Sequence, residues 1–149
     1  MLRLAYLAYR VYCFLFRPVG LGVRVMMIQN NQALLVRQTY MDGWFMPGGG
    51  VKRSETSDQA ARREVREETG ATLNNLKLVG AYTSFNEWTS NHNIVFLSTD
   101  FTTSGEHDNE IAEIRFFPLD DLPADLMPGH RQRLEEYRDG KQPNAFGEW

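Results

Sequence analysis

The chain has 149 residues, of which 42% are hydrophobic and 23% are charged, and its formal net charge is −3. These values are typical of one globular domain with its own core and exclude a largely disordered chain. A slightly acidic chain has no general positive field, so duplex nucleic acid is not expected as a partner. The one cysteine, Cys13, excludes an internal disulfide and a cysteine-based zinc site, and fits a reducing, cytoplasmic location.

The first segment, residues 1–19, is rich in Leu, Ala, Tyr, Val and Phe and predicts an amphipathic helix that ends at Pro18. Its basic residues recur every seven positions and so follow one side of a helix: Arg3, Arg10 and Arg17. Arg10 divides the apolar run into pieces too short to span a bilayer, and no signal-peptide cleavage site follows. Two interpretations stay open. The helix packs on its own domain or on a second subunit of a homodimer, or residues 1–17 lie on an anionic membrane surface.

The next segments predict a β-hairpin followed by a glycine-rich turn. Residues 21–29 and 33–36 are strand-like, and Asn30-Asn31 between them is a turn signal. After an aromatic stretch comes the sequence Pro47-Gly48-Gly49-Gly50. Because glycine has no side chain, its main chain can approach a ligand closely and adopt positive φ.

A helix is predicted over residues 56–69, with N-cap chemistry at its start and Gly70 as its stop signal. Glu64, Glu67 and Glu68 stand at i, i+3 and i+4 and therefore share one face. They lie in the last turn, where the helix dipole disfavours each acid by about 0.3–1 kcal/mol.

Such a cluster of acids needs compensation, and hard divalent cations with oxygen ligands provide it. We interpret the face as a Mg²⁺ or Mn²⁺ site. The alternative is a solvated acidic face that is neutralised by neighbouring arginines, namely Arg62, Arg63 and Arg66. The adjacent glycine turn favours the metal site, because a main-chain carbonyl there can join the ligands.

The remaining segments complete an α/β pattern. Residues 76–85 and 94–101 are strand-like and are separated by the polar segment 86–93, and residues 102–109 are expected to form a loop. Residues 127–139 predict a last helix, and residues 141–149 predict a polar tail that is expected to be mobile up to its final aromatic residues. The histidines lack metal-ligand spacing and are expected on the surface or in turns: His92, His107 and His130. The pattern predicts an α/β/α sandwich with a central mixed β-sheet, formed by a domain of residues 20–140.

One 23-residue string, Gly49 to Ala71, carries a specific motif. It fits Gly-x5-Glu-x7-Arg-Glu-U-x-Glu-Glu-x-Gly-U, where U is a bulky apolar residue, through Gly49, Glu55, Arg63, Glu64, Val65, Glu67, Glu68, Gly70 and Ala71. This string resembles the Nudix box. Only Ala71, which is small where the family has a larger aliphatic residue, departs from the pattern.

The resemblance implies a Nudix-type α/β/α fold and metal-dependent hydrolysis of a diphosphate linkage. By analogy, the metal ligands are Glu64, Glu67 and Glu68 with the carbonyl of Gly48. Relatives differ in which carboxylate accepts a proton from water, so Glu64 and Glu67 both stay catalytic candidates. Arg63, also by analogy, orients Glu55 and the ligand carboxylates without touching substrate.

The resemblance also indicates residues outside the box. Glu110 is implied as a further metal ligand or water-activating carboxylate, and its competitors are Glu106, Asp108 and Glu113. Arg37 matches a position where relatives carry a phosphate-contacting arginine, and Trp44 is expected either to stack on a nucleobase or to anchor the core. Substrate contacts are also expected at the turn, from Gly49 and Gly50.

The implied substrate is a nucleoside diphosphate linked to another group, with a nucleoside triphosphate or a nucleotide-linked small molecule as the default. An ADP-ribose specificity is disfavoured, because no proline occurs between Ala71 and Phe117. A coenzyme A signature is absent as well. The alternative function is a regulatory module that senses a nucleotide without turnover. The chain retains all four acids of the Nudix box pattern, Glu55, Glu64, Glu67 and Glu68, and this favours the enzyme.

Overall fold

The order of helices and strands follows from a computed structural model that describes residues 2–16, 18–86 and 89–149. The helices are α1 (Leu2–Phe16), α2 (Ser57–Thr69) and α3 (Pro128–Arg138). The strands are β1 (Val19–Gln29), β2 (Gln32–Gln38), β3 (Ala71–Leu73), β4 (Lys77–Asn86), β5 (Thr89–Ser98), β6 (Phe101–Thr103), β7 (Ile111–Pro118) and β8 (Phe146–Glu148).

The central sheet has six strands in the order β7-β2-β1-β5-β4-β8. β1 runs antiparallel to β2 but parallel to β5, so the sheet is mixed, as predicted. The β1–β2 turn is formed by Asn30 and Asn31, whose φ angles are 52° and 60°. Two consecutive left-handed residues give the turn whose twist matches a hairpin, and asparagine tolerates that conformation. A separate pair of strands, β3 and β6, continues from the end of α2.

Helices cover both faces of the sheet. Successive strand residues point to opposite faces, so β1 contributes side chains to a core cluster on each side. From β1, Val23 and Val25 join a core cluster with Ala61 and Val65 of α2, and all four are fully buried. Met26 of β1 joins the second cluster, which contains Leu134 of α3. The predicted α/β/α sandwich is therefore confirmed, and α2 packs Ala61 and Val65 against the sheet.

The polar segment 86–93 does not merely separate two strands, as predicted, because Asn86 belongs to β4 and residues 89–93 belong to β5. β4 and β5 form a hairpin in which Asn86 is paired with Thr89. Polar side chains pair across it, and the Thr83 hydroxyl lies 2.9 Å from Nδ1 of His92. A polar stretch can form strands when its side chains satisfy one another on an exposed face.

The final residues of the chain, including both aromatic residues of the predicted tail, pair with or pack on the domain. β8 pairs in parallel with β4, and the hydroxyl of Tyr82 donates to the carbonyl oxygen of Asn144 at 2.8 Å. The indole of Trp149 lies edge-on to the imidazole of His130, with ring centroids 4.9 Å apart. Residues 146–149 therefore belong to the folded layer and are not a separate tail.

His130 is buried, with 4% exposure, so its predicted surface position is wrong. Its Nδ1 accepts a hydrogen bond from the main-chain N–H of Met46 at 3.0 Å. Burial lowers the pKa of His130 well below its usual value, and the charge of Arg24 lowers it further. The neutral ring can thus serve as a buried acceptor for a main-chain donor.

α1 presents large apolar side chains to its surroundings, including Tyr9, Val11 and Phe16, which are 54%, 54% and 68% exposed. Among the helices described, none is long and apolar enough to cross a membrane. Arg10 is exposed, the side chain of Arg3 is not described, and Arg17 lies outside the described residues. The contact of residues 1–17 with a membrane surface or a second subunit stays a prediction.

Thr56→Ala should lower the free energy of unfolding by about 1 kcal/mol. Thr56 and Gln59 form a capping box, in which the Thr56 hydroxyl accepts from Gln59 N–H at 3.4 Å and the Gln59 side chain accepts from Thr56 N–H at 3.0 Å. The alanine variant loses the first bond. Urea denaturation of the variant and wild type measures the difference.

Thr56→Ser retains a hydroxyl and is the matched control. Equal unfolding free energies for the alanine and serine variants would show that this cap does not stabilise α2.

Candidate functional site

The last turns of α2 direct two acids at the glycine turn. The main-chain N–H of Gly48 donates to Oε2 of Glu68 at 2.8 Å. The carboxylate of Glu64 lies against Gly49, where an added Cβ would come within 2.7 Å of the carboxyl carbon and both oxygens. The i, i+4 spacing on one helix face therefore places both side chains at the same turn.

The turn itself is held against β1. The N–H groups of Val23 and Val25 donate to the carbonyl oxygens of Gly49 and Pro47, each at 2.9 Å. Gly48 between them has a φ of +144°, and a Cβ at this position would collide with the carbonyl of Val23. Glycine is required here because the turn lies directly on the strand backbone.

Arg63 connects the acids of the motif. Its guanidinium group donates to four residues: Glu55 Oε1 at 2.7 Å and Oε2 at 3.0 Å, Glu64 Oε1 at 2.6 Å, Glu67 Oε2 at 3.1 Å, and the Gly50 carbonyl at 3.0 Å. The two bonds to Glu55 form a fork, which is a geometry specific to arginine. These bonds, with one from Lys52 N–H, lower the pKa of Glu55 to about 2. Arg63 thus contacts Glu55 and two of the three proposed ligand carboxylates, Glu64 and Glu67.

Glu68 is in a different environment. It is 7% exposed, and its burial raises the pKa of the carboxyl to about 7. Repulsion from Glu64 and Asp108 acts in the same direction, while the Gly48 N–H and Arg24 partly oppose it. Burial therefore disfavours the charged form of Glu68, and a cation bound nearby would stabilise that form.

Glu67 is not brought to the turn with the other two acids. Its side chain is 44% exposed, and besides Arg63 it faces Nζ of Lys52 at 4.0 Å. Within residues 2–16, 18–86 and 89–149, no three Asp, Glu, His or Cys side chains converge as a metal-binding group. The donors at the turn are nevertheless carboxylate and carbonyl oxygens, which are the ligands that Mg²⁺ prefers.

The loop between β6 and β7 contributes two more acids, Asp108 and Glu110. Asp108 N–H donates to the carbonyl of Glu67 at 3.0 Å, and Glu110 N–H donates to Oδ1 of Asp108 at 3.0 Å. Burial raises the pKa of Tyr40, and the charges of Glu110, Glu68 and Asp108 contribute to that shift. Glu110 and Asp108 therefore lie on the same side of the molecule as Glu68.

The other two loop candidates have different surroundings. Glu113 forms an ion pair at 2.6 Å with Arg115 on β7. The backbone of Glu106 lies beside Gly70, at the end of α2. Neither residue is placed at the glycine turn by a described contact.

Trp44 belongs to the core, so the stacking interpretation is wrong and the core interpretation is confirmed. Its side chain is 2% exposed and packs edge-on against Phe117, with ring centroids 4.8 Å apart. The guanidinium of Arg37 lies 4.7 Å from the Trp44 ring centroid and donates to Asp125 at 3.0 Å. Arg37 is 40% exposed, and its contact with phosphate stays a prediction.

Two residues of the site, Arg24 and Tyr40, were not identified from the motif. Arg24 Nη1 donates to the carbonyl of Gly48 at 2.6 Å, and Tyr40 is close enough to Glu68 and Glu110 for its pKa to respond. A charged residue within the apolar strand sequence Val23 to Ile28 is a signal that could have indicated Arg24. Tyr40 has no comparable signal in the sequence.

Comparison with known proteins identifies relatives of two kinds. An RNA pyrophosphohydrolase of Xanthomonas oryzae pv. oryzae is 42% identical over 66 residues, which are 44% of this chain and 31% of that protein. The match thus spans less than a third of this relative's length. A Bacillus subtilis (strain 168) protein named as a candidate 8-oxo-dGTP diphosphatase is 25% identical over 118 residues, which are 79% of this chain and 78% of that protein.

Solved structures show the same fold. The MutT NUDIX hydrolase of Burkholderia pseudomallei superposes with a TM-score of 0.72 at 24% identity, covering 79% of this chain and 97% of that one. The MutT protein of Methanosarcina mazei Go1 superposes with a TM-score of 0.73 at 23% identity, covering 83% and 95%. The NUDIX domain family model matches residues 18–137, which is most of the chain. The protein therefore belongs to the Nudix hydrolase family.

Proposed function

We propose that this protein is a Mg²⁺-dependent pyrophosphohydrolase that cleaves the diphosphate linkage of a nucleoside diphosphate derivative, with Mn²⁺ as an alternative metal. The observation that carries the proposal is the position of Glu68. It is buried beside Glu64 and the glycine turn, and its pKa is raised to about 7. Burial of an ionised carboxylate destabilises the folded protein, whereas a cation bound beside it would stabilise its charge.

The residues that would hold the metal are Glu64, Glu68 and the Gly48 carbonyl, with Glu67 at the edge of the site. All four supply hard oxygen donors. A divalent cation bound there would neutralise phosphate oxygens and lower the pKa of a water molecule. Glu68 must lose its proton to act as a ligand, so metal affinity should rise with pH.

The chain's own residues provide the remaining functions. Arg63 fixes the orientation of Glu55 and Glu64 through its hydrogen bonds. The candidates for accepting the proton of the attacking water are Glu64 and Glu67 on α2 and Glu110 in the loop before β7. No covalent intermediate is needed, because activated water is the nucleophile.

The substrate is proposed as a nucleoside triphosphate or a nucleotide-linked small molecule. The names of the two sequence relatives, RNA pyrophosphohydrolase and candidate 8-oxo-dGTP diphosphatase, both specify nucleotide substrates. Arg37, exposed beside Asp125, is the proposed phosphate contact outside the metal site, and Gly49 and Gly50 are proposed main-chain contacts. A cytoplasmic location stays a prediction.

Glu64→Gln and Glu68→Gln should each reduce Mg²⁺-dependent hydrolysis by about 100-fold or more, because each removes a proposed metal ligand. Release of phosphate, pyrophosphate or mononucleotide is measured across a panel of nucleotides with Mg²⁺ and with Mn²⁺. Glu135→Gln on α3 is the matched control, since Glu135, like Glu64, forms an ion pair with an arginine of its own helix.

The control should retain wild-type turnover. If wild type hydrolyses no member of the panel but binds one of them tightly, the protein is a nucleotide sensor and not an enzyme.

Arg63→Lys should lower kcat by about 10- to 100-fold and raise the Mg²⁺ concentration needed for half-maximal activity, because lysine cannot form the fork with Glu55. Arg66→Lys, one turn along the same helix, should change both quantities by less than about twofold. Equal effects of the two substitutions would contradict a positioning role for Arg63.

The metal-free protein should become less stable as pH rises from about 4.5 to 7. The folded state retains the Glu68 proton up to about pH 7, whereas the unfolded chain releases it near 4.5. The folded state therefore binds more protons in this range, and its free energy of unfolding falls with pH, by at most about 3 kcal/mol. Urea denaturation in EDTA between pH 5 and 8, on wild type and Glu68→Gln, isolates this contribution.

The difference in unfolding free energy, wild type minus variant, should decrease with pH in EDTA, and Mg²⁺ should offset the decrease above pH 7. A difference that is constant or increases with pH would show that Glu68 is not a carboxyl with a raised pKa.

A further inference from the structure

A guanidinium group lies at the glycine turn, in a place that the motif does not assign. Arg24 is in β1 between Val23 and Val25, the two residues whose N–H groups hold the turn. Its Nη1 donates to the carbonyl of Gly48 at 2.6 Å. The N–H of the same glycine binds Glu68, so Arg24 and Glu68 contact opposite groups of one residue.

The surroundings of Arg24 are anionic. Burial lowers the pKa of Arg24, and the charges of Glu68, Tyr40 and Glu64 partly oppose that shift. Arginine remains protonated at neutral pH even when its pKa is lowered. Arg24 is therefore a permanent positive charge next to the two acids that are the proposed metal ligands.

Most of the hydrogen-bonding capacity of this guanidinium is unused. The group has five N–H donors, and its one hydrogen bond to a described residue goes to Gly48. The residue is partly exposed to solvent, although burial of its guanidinium is sufficient to lower the pKa. A diphosphate held at Glu64 and Glu68 through a metal would place negatively charged oxygens near these donors.

We propose that Arg24 is a substrate-binding residue that donates hydrogen bonds to a phosphate oxygen of the diphosphate chain, alongside the metal. The inference rests on the proposed function and extends it, because it assigns a protein cation that acts on the substrate without the metal. The ligand class is the diphosphate group of a nucleotide. The competing role is structural, in which Arg24 only holds the Gly48 carbonyl.

The experiment measures nucleotide binding in EDTA, where no metal contributes. The probe is a methylene-bridged nucleoside diphosphate, which cannot be hydrolysed, and its affinity is measured by isothermal titration calorimetry. Wild type should bind it with an affinity that decreases with salt. Arg24→Gln should weaken binding by about tenfold or more, and Arg24→Lys, which keeps the charge but loses the fork, by about threefold. Arg138→Gln, at the end of α3, is the control and should bind like wild type.

A second measurement excludes collapse of the site. Mn²⁺ affinity without nucleotide, followed by electron paramagnetic resonance, should be unchanged or higher in Arg24→Gln, because a positive charge near the metal is removed. Circular dichroism checks folding, and Arg24→Lys gives the answer if the glutamine variant is unfolded.

The inference is overturned if wild type does not bind the probe in EDTA, or if Arg24→Gln and Arg24→Lys bind it as wild type does. Reduced Mn²⁺ affinity with unchanged probe binding would assign Arg24 the structural role. Failure of the proposed function has a different signature, which is the lack of metal-dependent turnover in wild type.

Discussion

The contact between the glycine turn and β1 is the constraint on which the site depends. Gly48 is so close to the strand that no side chain fits, and its N–H and carbonyl bind Glu68 and Arg24 respectively. A turn farther from the strand would leave both side chains without that common partner. The glycines thus do more than permit flexibility, because they let one residue join a helix acid to a strand cation.

Two glutamates of the same motif have opposite pKa shifts. Glu55 has a pKa of about 2 because Arg63 and a main-chain N–H stabilise its charge, whereas burial raises the pKa of Glu68 to about 7. Glu55 therefore stays ionised and anchors Arg63 at any physiological pH. Glu68 is the acid whose charge responds to a cation, and this difference follows from environment alone, since both are glutamates.

Features set by neighbouring residues in the chain could be predicted from the sequence, and features set by distant contacts could not. The helix over residues 56–69 and the shared face of its acids depend on i, i+4 spacing, which the sequence shows directly. Arg24 and His130 act on residues 24 and 84 positions away, so their roles appear only in the folded chain. Trp44 illustrates a further limit, because one residue type suits both a core and a ligand contact. The strand residues within segment 86–93 could not be predicted from their polar composition, because their side chains pair across a hairpin.

The free carboxylate oxygens decide whether a cation can bind without rearranging the site. Arg63 contacts Oε1 of Glu64 and Oε2 of Glu67, and Gly48 N–H contacts Oε2 of Glu68. The second oxygens of Glu64 and Glu68 have no hydrogen bond to a described residue, and that of Glu67 faces Nζ of Lys52 at 4.0 Å. The Gly48 carbonyl has two lone pairs, and Arg24 uses one of them. A metal ion bound at the turn could therefore take up these oxygens while the existing hydrogen bonds hold the carboxylates in place, as expected of preorganised ligands.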